Sequence, residues 1–287
     1  MAISRPMAKL LLSESKVRPF HGSVLQLGRQ AVLFSERELV AWTGHEAGKP
    51  ETAGKNSPLT DEEFFDFLGF DQVFSCDVSA YEKASMILDL NVPVPQDLHN
   101  RFDVIYDGGT MEHVFNVPAV LANIHAMLKT GGRVIHVSPT SNMVDHGFYS
   151  FSPIFFADYY KANHYELQTL HLFECASWTG SWEIYDCLAR GLDNRLGRVC
   201  TSKMSGVFCV AEKKQESTAQ VFPSQGHFSK LWTGPSTNLD EIRMGGLKEA
   251  IKAGFPQLAE LFYRVRAFAW KTPPRRRSAM PPFLGRL

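Results

Sequence analysis

At 287 residues with 44% apolar side chains, the chain has room for one large α/β domain with appendages and a sizeable core. Thirty basic and thirty acidic residues cancel unevenly. After Glu260 there are seven Arg or Lys and no acid, so residues 1–260 hold 23 basic and 30 acidic groups, a net charge of minus seven. That excludes a global nucleic-acid-binding surface and leaves a separately basic tail. Cys76, Cys175, Cys187, Cys200 and Cys209 form no CxxC pair and are odd in number. Such usage argues against a disulfide framework or zinc site and for reduced thiols, and no metal ligand set is read. The leucine run at residues 10–12 is too short for a signal peptide's core, and no apolar stretch reaches transmembrane length, so a soluble cytoplasmic protein is expected.

In chain order, residues 1–20 read as a polar N-terminal extension with one short helical piece. Ser23–Leu27 is an apolar-rich strand that runs into Gly28-Arg29-Gln30. Helical patches at 36–42 and 61–68 flank a loop rich in Gly, Pro and Lys, of a length that marks a lid or disorder, with disorder favoured. Residues 73–76 and 85–91 read as strands that carry Asp77 and Asp89 at their ends. The short apolar run Val104-Ile105-Tyr106 stops at Asp107-Gly108-Gly109. Val117, Val120, Leu121, Ile124, Met127 and Leu128 then follow at helical spacing, with Gly131-Gly132 read as the helix cap. A further strand at 134–137 completes a βαβ unit, whose strands are parallel and whose ligands bind beyond the strands' carboxyl ends. An aromatic helix at 152–162 and strands at 165–173 and 204–212 close the domain; a linker at 214–238, helices near 239–253 and 256–271 and a Pro/Arg tail come last.

The stretch FDVIYDGGTMEHVFNVPAVLANIHAMLKTGGRVIHVSP, with the strand order and the acids at the strand ends, resembles the class I, seven-stranded S-adenosylmethionine-dependent methyltransferases over residues 21–213. It is similar to the fourth strand, helix, glycine turn and fifth strand of the small-molecule branch, where a Glu-His pair often follows the fourth strand. The resemblance implies a doubly wound, Rossmann-like, mostly parallel sheet, here with a helical C-terminal extension. It also implies S-adenosylmethionine as cofactor, with Asp77 on the ribose hydroxyls and Asp89 on the adenine amino group. Gln26, Gly28, Arg29, Asp107 and Gly108 are the further cofactor contacts it suggests. The sequence departs from the family after the first strand, where an acid-x-Gly-x-Gly loop is replaced by Gln26-Leu27-Gly28-Arg29-Gln30. Arg29 either pairs with the cofactor's methionine carboxylate or fills the pocket, and both readings stay open.

His113, directly after the strand-end glycines, is the first choice for a general base, and His146, in the polar loop after the fifth strand, is the second. His125 and His136 read as packing residues. Trp178, Trp182 and Tyr185 form either a lid over an apolar or sugar-like substrate or a cover for the sheet edge. The apolar stripe of the last helix, flanked by Arg264, Arg266 and Lys271, reads as packing on its own body, with contact to a membrane surface or an acidic partner as the other option. The expected activity is methyl transfer to an oxygen or nitrogen of a small molecule or glycan, with no nucleic-acid partner. The alternative is a non-catalytic methyltransferase-like binding domain. A nicotinamide-dependent dehydrogenase is disfavoured, because no GxGxxG follows the first strand.

Overall fold

The structure, a computed structural model, describes residues 2–44, 59–189, 202–225 and 282–287. A small parallel pair, β1 (Ala2–Ile3) and β3 (Ala31–Val32), brackets α1 (Arg5–Val17) and β2 (Ser23–Leu27) in sequence. Then come α2 (Glu36–Thr43), α3 (Asp61–Phe67), β4 (Gln72–Asp77), β5 (Met86–Ile87), β6 (Phe102–Asp107) and α4 (Val117–Met127). The remainder is β7 (Leu128–Ser141), α5 (Pro153–Ala162), β8 (Glu166–Cys175), β9 (Trp182–Asp186), β10 (Met204–Glu212) and β11 (Phe283–Arg286). Nine of these strands form one sheet in the order β11-β9-β8-β10-β7-β6-β2-β4-β5.

Strand periodicity of two splits this sheet's side chains between two cores. Leu25, Leu27 and Ile105 pack with α4 and α5 on one face, whereas Val24, Val104 and Tyr106 pack with α1 and α3 on the other. The sheet is mixed rather than mostly parallel. Four pairings are parallel (β2 with β4, β2 with β6, β4 with β5, β6 with β7), and four are antiparallel (β7 with β10, β10 with β8, β8 with β9, β9 with β11). The change of direction is set by β10, which inserts between β7 and β8 and hydrogen-bonds antiparallel to both.

Residues 1–20 contribute to the core. Met7, Ala8, Leu10 and Leu11 of α1 are buried, and Glu14 accepts from Arg133 Nη1 at 3.0 Å and Arg18 Nε at 3.0 Å. A buried carboxylate is tolerated where two guanidinium groups meet it. α2 and α3 each start on a capping box, Ser35 with Glu38 and Thr60 with Glu63, which satisfies otherwise orphaned backbone N–H groups. The glycine pair after α4 does not cap it: the helix ends at Met127, Leu128 is already extended, and Gly131, at φ 81°, turns inside β7. Gly132 is required for closeness, because a Cβ there would lie 2.9 Å from the Asp103 carbonyl oxygen. The strand expected at 85–91 shrinks to β5, and Trp182 is fully buried in β9, stacked on Phe173 at 3.8 Å, which makes it a sheet-edge cover. Cys76, Cys175, Cys187 and Cys209 are buried free thiols. The loop at 45–58, the C-terminal helices and the Arg-rich tail lie outside the described residues.

Candidate active site

Parallel strands deliver their carboxyl ends to one edge, and β2, β4, β5, β6 and β7 do so here. At the end of β2, Gly28 has φ 70°, a left-handed value that favours glycine, and its N–H donates to the Cys76 carbonyl at 2.7 Å. Gln30 is buried and folds back so that Nε2 donates to the Gly28 carbonyl at 3.2 Å; it stays out of the cleft. Arg29 runs along the rim. Its guanidinium bonds Asp61 (Nη2 to Oδ1, 3.1 Å), Glu62 (3.3 Å) and the Lys83 carbonyl (2.8 Å), and the Asp61 hydrogen bond raises its pKa further. Gln26 is buried beneath, donating through Nε2 to Asp61 Oδ2 at 2.9 Å. Asp61, at the start of α3, therefore organises both Gln26 and Arg29.

Asp77 and Asp89 stand at and just past the ends of adjacent parallel strands. Asp77 Oδ1 accepts the Ser79 N–H at 3.2 Å, and Asp89 Oδ1 accepts both the backbone and side-chain N–H groups of Asn91 at 2.9 Å. The Asn91 backbone and side-chain bonds hold the Asp89 carboxyl below the usual carboxylate range. The second oxygen of each carboxylate has no hydrogen-bond partner among the described residues. Such a pair fits a ligand that offers hydroxyl or amino hydrogens. Asn91 is in turn bonded to Asn116, whose N–H donates to Asn91 Oδ1 at 3.0 Å, so the Asp89 turn is tied to the N-cap of α4.

Asp107 and Gly108, expected at the cofactor, are tightly packed at the end of β6. Asp107 is fully buried: Oδ1 accepts the Thr110 N–H at 2.9 Å and the Met111 N–H at 3.1 Å, and Oδ2 meets His136 Nδ1 at 2.7 Å. His136 Nε2 reaches Tyr160 Oη at 2.6 Å, so this histidine is the satisfied core residue anticipated. Gly108 has no room for a side chain, since a Cβ would lie 2.7 Å from the Tyr106 ring. Together these contacts fix the 3-10 turn Met111–His113.

That turn carries the two histidines' meeting point. The rings of His113 and His146 lie 5.1 Å apart, and His146 Nε2 is 3.6 Å from Glu112 Oε1. The Glu112 carbonyl accepts the N–H groups of Phe148 at 2.8 Å and Tyr149 at 3.3 Å, which holds the loop after β7 against it. Gly147 is needed for that approach, because a Cβ would come within 2.9 Å of the Glu112 carbonyl oxygen. Burial, with Asp107 nearby, pushes the Glu112 carboxyl up to about 8. Burial first and His146 second lower the His113 pKa. A cavity of about 570 Å³ opens between α4 and α5, lined by Val117, Leu121, Tyr149, Phe151, Phe155 and Tyr159 among others; Tyr149, whose N–H reaches the Glu112 carbonyl, is its link to this cluster.

The structure thus brings His113 and His146 together and sets Asp77 and Asp89 on the same edge, while Gln26, Asp107 and Gly108 sit below it. Glu112, Asp61 and Asn91 were missed as site residues. The Glu-His pair was visible in the sequence, but only tertiary packing reveals that Glu112 is buried.

Residues 53–184 match a family model described as a methyltransferase domain. No curated protein matches the chain. Among solved structures, the chain is similar to the 1,6-didemethyltoxoflavin-N1-methyltransferase of Burkholderia thailandensis, crystallised with 1,6-didemethyltoxoflavin and S-adenosylhomocysteine (16% identity, TM-score 0.39, covering 74% of this chain and 78% of that one). It is also similar to the YcgJ protein of Bacillus subtilis (13%, TM-score 0.42, 72% and 98%) and to the N-methyltransferase NodS of Bradyrhizobium japonicum (11%, TM-score 0.41, 74% and 96%). Over residues 53–184, somewhat under half of its length, the chain is thus similar to methyltransferase domains.

Proposed function

We propose that the protein transfers a methyl group from S-adenosylmethionine to an oxygen of a small molecule or glycan, with nitrogen as the second choice of acceptor atom. The observation that carries this reading is the pair Asp77 and Asp89 at adjacent strand ends, each with a carboxylate oxygen left over, on the same sheet edge as His113 and His146. When bound, S-adenosylmethionine supplies a methyl group already activated on a sulfonium. Asp77 and Asp89 accept hydrogen bonds from the ribose hydroxyls and the adenine amino group. Gly28 lets the backbone come close. The apolar cavity between α4 and α5 takes the acceptor's apolar part and excludes water from it. Holding donor and acceptor in line contributes on the order of 7–11 kcal/mol. His113, whose pKa partial desolvation lowers, accepts the acceptor's proton, and His146 is the second candidate.

Titration calorimetry with S-adenosylmethionine and S-adenosylhomocysteine tests this. Saturable binding is expected, and Asp89→Ala should weaken it roughly tenfold through the lost charge-assisted hydrogen bond. Absence of binding of either compound at millimolar concentration sinks the enzyme reading. It would favour the second reading, a non-catalytic binding domain, for which the Arg29 ion pair with Asp61 across the rim is the supporting observation.

A further inference from the structure

We propose that Glu112, His113 and His146 form a three-ligand site for a divalent first-row transition ion of the zinc class. One carboxylate oxygen and one ring nitrogen from each histidine lie within 4.8 Å of one another. Tetrahedral coordination at about 2.0–2.2 Å needs ligand atoms closer than that, a closure that rotamer adjustment of the exposed His146 supplies. Two imidazoles with one carboxylate suit zinc, cobalt(II) or iron(II), and nitrogen donors disfavour magnesium and calcium.

Two observations beyond the cluster itself point the same way. Glu112 is 1% exposed, yet its Oε2 has no hydrogen-bond partner among the described residues. Buried carboxylate oxygens are normally paired or bound to a cation. The two histidine-bearing segments are also fixed independently of any ligand. Asp107 caps the turn that carries His113, and the Phe148 and Tyr149 N–H groups clamp the His146 loop onto the Glu112 carbonyl. A site assembled before the ion arrives binds it without the entropy of ordering two loops.

Three protein ligands leave a coordination position open, the arrangement of reactive rather than purely structural zinc sites. An acceptor hydroxyl bound there would lose its proton more readily, so an ion would replace the free imidazole as the means of activation. Binding of the ion itself does not depend on the methyl-transfer reading, and its test uses no methyl donor.

The tag-free full chain, stripped with a chelator, is titrated with zinc by calorimetry and with cobalt(II) by visible absorption. One equivalent should bind, and cobalt(II) should give the intense visible bands of a low-coordinate nitrogen-oxygen site. His146→Ala, at an exposed position that leaves the fold intact, should weaken zinc binding at least tenfold. Glu112→Gln should do the same while preserving side-chain shape, and His21→Ala, at the opposite end of the sheet, should change nothing. Failure to bind one equivalent, or binding equally tight in His146→Ala and Glu112→Gln, overturns the proposal.

Discussion

The sheet has two halves that answer different demands. From β7 to β5 the strands run parallel, so their carboxyl ends coincide, and the acids Asp77, Asp89 and Asp107 gather at one edge. Gathering them has a cost: Asp107 is fully buried and needs two backbone N–H groups and His136 to hold it. From β7 to β11 the pairings are antiparallel, so strand ends alternate between edges and no such cluster arises. That half closes with aromatic packing, Trp182 on Phe173 with Trp178 edge-on at 5.1 Å. At its surface Glu183 pairs with Lys203 and Arg286 at 2.5 Å, and those two hydrogen bonds lower its carboxyl pKa to about 2. Parallel pairing concentrates chemistry and needs internal polar support; antiparallel pairing supplies stability through apolar contact.

Three changes would break or sharpen this division. The largest effect is expected from Trp182→Ala, which removes a fully buried indole and should lower unfolding free energy by about 3–5 kcal/mol in denaturant titrations. Zinc and cofactor binding by the folded fraction should stay unchanged; a loss of both would mean that the two halves are not separable. Asp107→Asn comes next, at about 1–3 kcal/mol. One amide oxygen can still accept the Thr110 and Met111 N–H groups, but its NH₂ must then face His136, forcing that ring to exchange its protonated nitrogen. Nitrogen NMR of His136 should report this tautomer change, and an unaltered tautomer would show that the Asp107 contact does not set it.

The smallest effect concerns His125, on the opposite side from the candidate site, where Nδ1 meets Tyr165 Oη at 2.8 Å. Burial, then Lys213, lowers its pKa from 6.5 to about 4. Between those values the unfolded chain binds a proton that the folded chain refuses, so stability present above pH 6.5 is lost as pH falls toward 4. Solvent access limits the effect to about 1 kcal/mol. His125→Gln should flatten this part of the stability–pH curve; an identical curve would place the titration elsewhere.

Local chemistry determined a good deal. The strands at 72–77, 102–107 and 204–212 and the helices at 61–67 and 153–162 are legible because period-two and period-3.6 patterns, capping boxes and proline starts act within a few residues. The methyltransferase resemblance was legible for the same reason, since strand-end acids and the Glu-His pair sit at fixed spacings along the chain. What lies beyond that range is pairing between distant segments. No short window shows that β10 enters between β7 and β8, that Gln26 and Arg29 share Asp61, or that α1 is core rather than extension. The same holds for the site. His113 and His146 were each visible as polar residues after a strand, but their separation, and the burial of Glu112 between them, depends on Asp107 capping one loop and Gly147 admitting the other. Burial and approach are properties of the packed chain, so only the tertiary structure could decide them.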